Sequence, residues 1–354
     1  MISAPPAENR TLQAAKAVAA FMVVFIHCPF PGRFGEAVSA LARFAVPLFF
    51  AVSGRFLFRG GIPDPAGIRR IVKKRIVRAA GVTALVWIAY TLYSLLYRIT
   101  RGGETIYAWF SDKFNPGEFF TFFMFNSGKV VYDYSYTFDH MWYLFAWLYV
   151  LILLFILAPL VRLLYRPMTV ILLSGLFFGL LLQAYYPIRP FDISIRTWYM
   201  LRNWLLFGLP FVGLGMWSAD PPFRLSEKTG IILIPAGAFI TVAEYLHYGS
   251  KEFYLGSLMI LVGILTLADA EDVSMRSVMP KPLVFAGREL SAGIYYWHIM
   301  LLALISMAAV PIQDSSAWQI VKPLAVITVS VCVSLILRHL NRNKTDIFDA
   351  VISK

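Results

Sequence analysis

The chain has 354 residues, 59% hydrophobic and 16% aromatic, with 15% charged residues and a formal net charge of +12. A soluble domain carries about 25% charged residues, so a mean hydropathy of +0.67 excludes an ordinary soluble fold and indicates an integral membrane protein. The positive charge does not indicate nucleic acid, because Lys and Arg gather in alternate loops between apolar segments, where they read as topology signals.

The first apolar segment, 12–29, contains Lys16 and His27. Eleven residues of helix turn through about 1100°, within about 20° of three full turns, and rise about 16 Å, so the two side chains share one face. A charged or titratable group inside the bilayer costs about 2.5 to 3.5 kcal/mol by insertion scales, and each therefore needs polar surroundings within the protein. The pair defines a polar track with a cationic end and an imidazole end. An imidazole there can take a hydroxyl proton and return it; a hydrogen bond to a neighbouring helix is the structural alternative. Cys28 points about 100° away from His27 and is expected to be inert. No small-x-small cleavage site follows, so the segment reads as a membrane helix rather than a secretory leader.

The second segment, 38–58, holds Phe49-Phe50-Ala51-Val52-Ser53-Gly54-Arg55. Ser53 and Gly54 permit close helix approach, and Arg55 either acts in a site or snorkels to headgroups. The following loop has Arg59, Arg69, Arg70, Lys73, Lys74, Arg75 and Arg78 against Asp64 alone, which makes it cytoplasmic by the positive-inside rule. Arg75 and Arg78 stand at i and i+3 where the third segment, 79–98, begins, so their guanidinium forks face one way and suit phosphate. On spacing alone the crowding of cations favours a topology or lipid-headgroup role for them.

The stretch 100–139 is balanced by acids and rich in aromatics, including Phe119, Phe120, Phe123, Tyr132, Tyr134 and Tyr136. It belongs outside, along the interface or over a cavity mouth. The fourth segment, 140–161, opens with His140-Met141-Trp142-Tyr143-Leu144; Trp142 suits an interface anchor and His140 could orient an acceptor. Segments at 169–186, 200–217, 229–247 and 253–268 follow. The ninth, 290–310, carries Ser291, Tyr295 and His298 near one helical face, either as a site or as a polar seam between helices. The tenth is 318–338. The expectation is an all-α polytopic membrane protein of about ten transmembrane helices, with both termini cytoplasmic and one membrane-embedded domain over 1–354. The pattern contains no Gly-rich nucleotide loop, no metal motif and no Gly-x-Ser-x-Gly elbow, and Cys28 and Cys332 are far apart.

Taken together, these segments resemble the acyltransferase-3 family of integral membrane acyltransferases. The resemblance rests on a basic residue, ten residues and a histidine (Lys16 and His27); aromatic-aromatic-x-x-Ser-Gly (Phe49 to Gly54); Arg-x-x-Arg (Arg75 and Arg78); His-x-Trp-aromatic (His140 to Tyr143); and Ser-x-Gly-Ile-Tyr-x-x-His (Ser291 to His298), in that order along almost the whole chain. Lys16 stands where Arg is common in the family, and Arg55 where an apolar or aromatic residue usually follows Ser-Gly.

The resemblance implies transfer of an acyl group, most often acetyl, from cytoplasmic acyl-CoA to a hydroxyl of an extracytoplasmic acceptor, a cell-surface polysaccharide or lipid-linked sugar, in a bacterial inner membrane. It implies His27 as general base, Arg75, Arg78, Lys16 and Arg55 as the acyl-CoA-binding set, and Ser53, His140, Trp142, Ser291, Tyr295 and His298 as supporting or acceptor-binding residues. It implies neither a metal nor a tightly bound cofactor; some relatives carry a fused soluble domain, and since the chain ends soon after the tenth segment none is expected here. A transporter or flippase for a lipid-linked glycan would use the same polar track differently, and a membrane scaffold would leave Lys16 and His27 without a purpose.

Overall fold

A computed structural model of the protein describes residues 8–58, 61–131, 139–182, 200–221, 224–274 and 278–342. The described residues form an all-helical bundle: α1 (Arg10–His27), α2 (Gly32–Leu41), α3 (Ala45–Arg55), α4 (Pro65–Thr100), α5 (Ile106–Lys113), α6 (Pro116–Phe125), α7 (Trp142–Ile156), α8 (Ala158–Leu180), α9 (Leu209–Ala219), α10 (Glu227–Tyr248), α11 (Leu255–Ser274), α12 (Lys281–Phe285), α13 (Ser291–Ala308) and α14 (Ser316–Arg342).

Seven stretches are long and apolar enough to cross a membrane among the described residues, not the ten expected: Arg10–His27, Gly32–Arg55, Pro65–Thr100, Ala158–Leu180, Glu227–Tyr248, Lys281–Ala308 and Ser316–Leu340. The other three fall short for identifiable reasons. The fourth predicted segment yields α7, with 15 residues. The sixth is split into a π turn, Trp204–Gly208, and α9. The eighth becomes α11, whose last two turns carry Asp269, Glu271 and Asp272. The expected cytoplasmic placement of both termini concerns residues 1–7 and 343–354, outside those described.

Two predicted loops are helix. Asp64 caps α4 by accepting from the Gly67 backbone N–H at 3.1 Å, and Pro65 supplies a preset first helical position. Arg69 to Arg78 therefore lie on the first turns of one 36-residue helix, about 54 Å long at 1.5 Å per residue. Arg162 and Arg166 likewise sit within α8, which starts one residue after α7 and tolerates Pro167 internally.

At the centre of the bundle is α1, packed against α3, α11, α13 and the turn that precedes α13. Its start is fixed twice. Asn9 accepts from Leu12 N–H at 2.9 Å, and the Glu271 carboxylate accepts from the backbone N–H groups of Arg10 at 2.9 Å and Thr11 at 2.7 Å. A carboxylate at a helix N-terminus satisfies orphan donors and complements the helix dipole. Small residues set the remaining distances. A Cβ on Gly54 would lie 2.1 Å from the Val212 carbonyl oxygen, and one on Gly215 1.8 Å from that of Ala51, so α3 and α9 meet backbone to backbone. That is the packing role read from Ser53-Gly54.

Candidate active site

The bundle has one strongly basic end, where α1, α12 and α4 begin and α3 stops. A cavity of about 370 Å³ is lined there by Lys16 of α1, Ser53 of α3, Arg75 and Arg78 of α4, and Arg288, Ser291 and Tyr295 of the α12–α13 stretch. Four separate segments thus bring the Lys16 and Arg75/Arg78 signals to one space. Lys16 Nζ donates to Gln13 Oε1 at 3.1 Å, one turn below on the same helix. The two hydroxyls bond to their own helices, Ser53 to the Phe49 carbonyl at 2.8 Å and Ser291 to the Gly287 carbonyl at 2.6 Å. Arg288, which the motifs did not single out, is half exposed at the cavity and pairs with Glu8 at 2.9 Å and Glu289 at 2.7 Å. Its signal was its place among the cations that gather between apolar segments, read only as topology.

Arg55 is not part of this cavity lining. Its side chain, 4% exposed, pairs with Asp272 at 2.7 Å and Asp269 at 3.8 Å, and Nη1 also donates to the carbonyl of Ser218 and, at 3.1 Å, to its hydroxyl. Asp272 in turn accepts from Asn9 Nδ2 at 2.7 Å. The guanidinium therefore ties α3 to α9 and α11, and through Asn9 to the start of α1. The sequence reading puts Arg55 in the donor-binding set; in the structure the acids of α11 hold its side chain, outside this cavity.

At the opposite end three histidines converge. The ring of His27, at the last turn of α1, lies with its centroid 5.3 Å from that of His298 on α13 and 6.5 Å from that of His140, and His140 and His298 are 5.1 Å apart. His298 Nδ1 contacts the carbonyls of Tyr295 at 2.8 Å and Ile294 at 3.1 Å. Carbonyls only accept, so in the neutral ring Nδ1 carries the proton and Nε2 the lone pair. That Nε2 is buried with no hydrogen-bond partner among the described residues, an unusual state for a buried polar atom. Tyr90 packs its ring 5.0 Å from His140; its hydroxyl donates to the Tyr296 carbonyl at 2.9 Å and accepts from the Met300 N–H at 3.0 Å.

A small cavity of about 30 Å³ opens on this cluster, lined by His27, His140, Trp142 and Tyr295 together with Arg43, Arg202 and Glu252. Trp142 is almost fully buried rather than a lipid-facing anchor, with the Arg202 guanidinium 5.5 Å above its ring. Between the two cavities stand Phe49, Tyr143 and Tyr295, with Tyr143 and Phe49 5.2 and 5.7 Å from the Tyr295 ring. Of the residues proposed for the site, all but Arg55 line one of these two cavities or belong to the histidine cluster. Arg43, Arg202 and Glu252 were missed, although Arg43 sits inside an apolar segment and the argument that picked out Lys16 applies to it equally.

Among the described residues no group of His, Cys, Asp and Glu is arranged to hold a metal ion. Residues 9–339 match the model of the Acyltransferase domain family, Acyl_transf_3, and the chain belongs to that family. No curated protein and no solved structure matches the chain significantly.

Proposed function

We propose that this membrane acyltransferase carries an acyl group, acetyl in the simplest case, from acyl-CoA at the basic end to a hydroxyl of a glycan acceptor at the histidine end. The observation behind the reading is the pair of cavities: Lys16, Arg75, Arg78 and Arg288 line one, His27 and His140 line the other, and Tyr295 lines both. Coenzyme A is an anionic head on a slender arm, and guanidinium groups are the natural partners of its phosphates. By the positive-inside rule the basic end faces the cytoplasm, where acyl-CoA is made. His27 then faces the outside of a bacterial inner membrane.

In this reading the phosphates rest on Arg75, Arg78, Lys16 and Arg288 while the arm passes Ser53 and Ser291 and reaches the Tyr295 wall. His27 takes the proton of the acceptor hydroxyl as its oxygen attacks the thioester carbonyl. The tetrahedral intermediate collapses with cleavage of the C–S bond, and the protonated His27 returns its proton to the departing thiolate. The products are the acyl ester and free coenzyme A, and the base is regenerated. His140 and His298 hold the His27 ring and keep its surroundings polar.

The test is equilibrium binding of radiolabelled acetyl-CoA to purified protein. Specific binding that is lost in the Arg75→Gln/Arg78→Gln double variant supports the reading. A folded wild-type protein that binds no acetyl-CoA, as a transporter or scaffold would not, overturns it.

A further inference from the structure

Tyr90 of α4 is fully buried, and its side chain reaches two of the three elements that meet at the histidine cluster. Its hydroxyl donates to the Tyr296 carbonyl at 2.9 Å and accepts from the Met300 N–H at 3.0 Å. Those two groups stand four residues apart, the separation that one α-helical hydrogen bond closes. The hydroxyl thus grips both ends of a single turn of α13, and His298 lies in the middle of that turn. A side chain that enters the i→i−4 ladder is one of the few causes of a local bend in a helix. The ring makes a second set of contacts, edge-on to His140 at 5.0 Å and stacked on Trp297 at 6.3 Å and 11°. A phenylalanine would fill the same space without the cost of burying a hydroxyl, so packing alone does not account for a tyrosine here.

The His298 imidazole depends on this turn for its place. Its Nδ1 bonds to carbonyls of its own helix, those of Tyr295 and Ile294, and its Nε2 has no hydrogen-bond partner among the described residues. No other element holds the ring by a hydrogen bond among those residues, so where the turn goes, His298 goes. We propose that Tyr90 is the positioning residue of the histidine cluster: its hydroxyl sets the turn of α13 that places His298 beside His27, and its ring backs His140. A displaced turn moves His298 out of its place 5.3 Å from the His27 ring and leaves the base without its neighbour. Donor binding is spared, because Tyr90 is not among the described residues that line the basic cavity. This inference rests on the acyl-transfer reading for calling His27 the base; the placement of His298 is tested without any transfer.

The experiment is solid-state nitrogen NMR of purified full-length protein labelled at its five histidines, with His298→Gln and His140→Gln to assign the signals, alongside kcat and KM for acetyl-CoA. In the wild type His298 is expected in one tautomer, with the proton on Nδ1. Tyr90→Phe is expected to move or split the His298 signal while those of His247 and His339 stay in place. It is also expected to cut kcat by about tenfold to 10²-fold, in keeping with the cost of a misplaced catalytic group, with KM at the wild-type value. Tyr90→Leu, which removes the ring as well, moves the His140 signal too. Ser94→Ala is the control, since it takes from α4 another buried hydroxyl, one that accepts from Trp109 Nε1 at 3.1 Å, and its melting temperature falls with His298 and kcat unchanged. An unmoved His298 signal in Tyr90→Phe, a wild-type kcat in that variant, or the same changes in Ser94→Ala overturns the proposal. Where Tyr90→Phe fails to fold, 3-fluorotyrosine at position 90 keeps the shape and makes the hydroxyl a stronger donor; a shifted His298 signal then supports the proposal and an unmoved one overturns it. A wild type that transfers no acyl group removes the acyl-transfer reading and leaves the histidine signals to decide the placement of His298.

Discussion

Tyr295 donates from its hydroxyl to the backbone carbonyl of His140 at 2.5 Å, and among the described residues its ring is the one side chain that lines both the basic cavity and the histidine pocket. The bond joins α13 to the turn before α7 at the point where the two cavities meet. It closes the wall and fixes the backbone that presents His140.

Shortening this wall separates transfer from leakage. Tyr295→Ala merges the two cavities, so water reaches the thioester and the ratio of free acetate to acylated acceptor rises. Tyr295→Phe keeps the ring and loses only the hydroxyl, which strands a buried carbonyl at a cost of about 1 to 3 kcal/mol. Its melting temperature falls while the ratio stays near wild type. Counting labelled acetate and labelled acceptor from one radiolabelled acetyl-CoA reaction distinguishes the two variants.

Neutralising the basic cavity weakens the donor and spares the chemistry. Arg75→Gln, Arg78→Gln and Arg288→Gln each remove charge-assisted hydrogen bonds worth about 1.5 to 3 kcal/mol, which corresponds to a rise of roughly 10-fold to 100-fold in the acyl-CoA KM. kcat at saturation changes little. Lys16→Gln acts in the same direction, and raising the salt concentration narrows the gap between wild type and variants.

Arg55 behaves as a strut. Arg55→Ala leaves Asp269 and Asp272 without their guanidinium and costs about 3 kcal/mol, the low end of the range for breaking a buried pair, because the Asp272 side chain is 47% exposed. Thermal unfolding in detergent reads the loss. Acyl-CoA KM in the folded fraction stays at the wild-type value, and a rise of tenfold or more would return Arg55 to the donor site.

The packing glycines give a steric prediction. Gly215→Ala places a methyl group 1.8 Å from the Ala51 carbonyl oxygen, backbone that cannot move without separating α3 from α9. Expression and melting temperature fall sharply. Gly249→Ala, where φ is +77° and ψ −165° but no atom lies within 4 Å, costs only the strain of a backbone region that glycine alone readily adopts, about 1 to 3 kcal/mol.

The helical class and the main polar constellation are legible in the sequence because hydrophobic runs and intramembrane charges each have a local physical cost. Lys16 and His27 could be paired by periodicity, since both lie on one helix. The convergence of His27, His140 and His298 could not, because each belongs to a different element and their contact is set by the packing of α1, α7 and α13. The overcount of spans has a similar cause. A run such as Leu255–Ala268 looks like a membrane helix until Asp269, Glu271 and Asp272 are seen to serve Arg55 and the start of α1. Arg43 was hidden for the opposite reason: its neighbours are apolar, and its partner Glu252 is more than two hundred residues away.

The central claim is that His27 moves the proton in an acyl transfer across this bundle, and mass spectrometry of envelope glycans tests it most directly. Cells lacking the protein are complemented with the wild type or with His27→Ala, and purified His27→Ala is assayed for acetyl-CoA binding. The account predicts that the wild type restores one acyl increment on a glycan, and that His27→Ala, with acetyl-CoA affinity intact, cuts it by about 10²-fold to 10⁴-fold, the contribution of a general base. Full restoration of the acyl increment by a folded His27→Ala protein would contradict it.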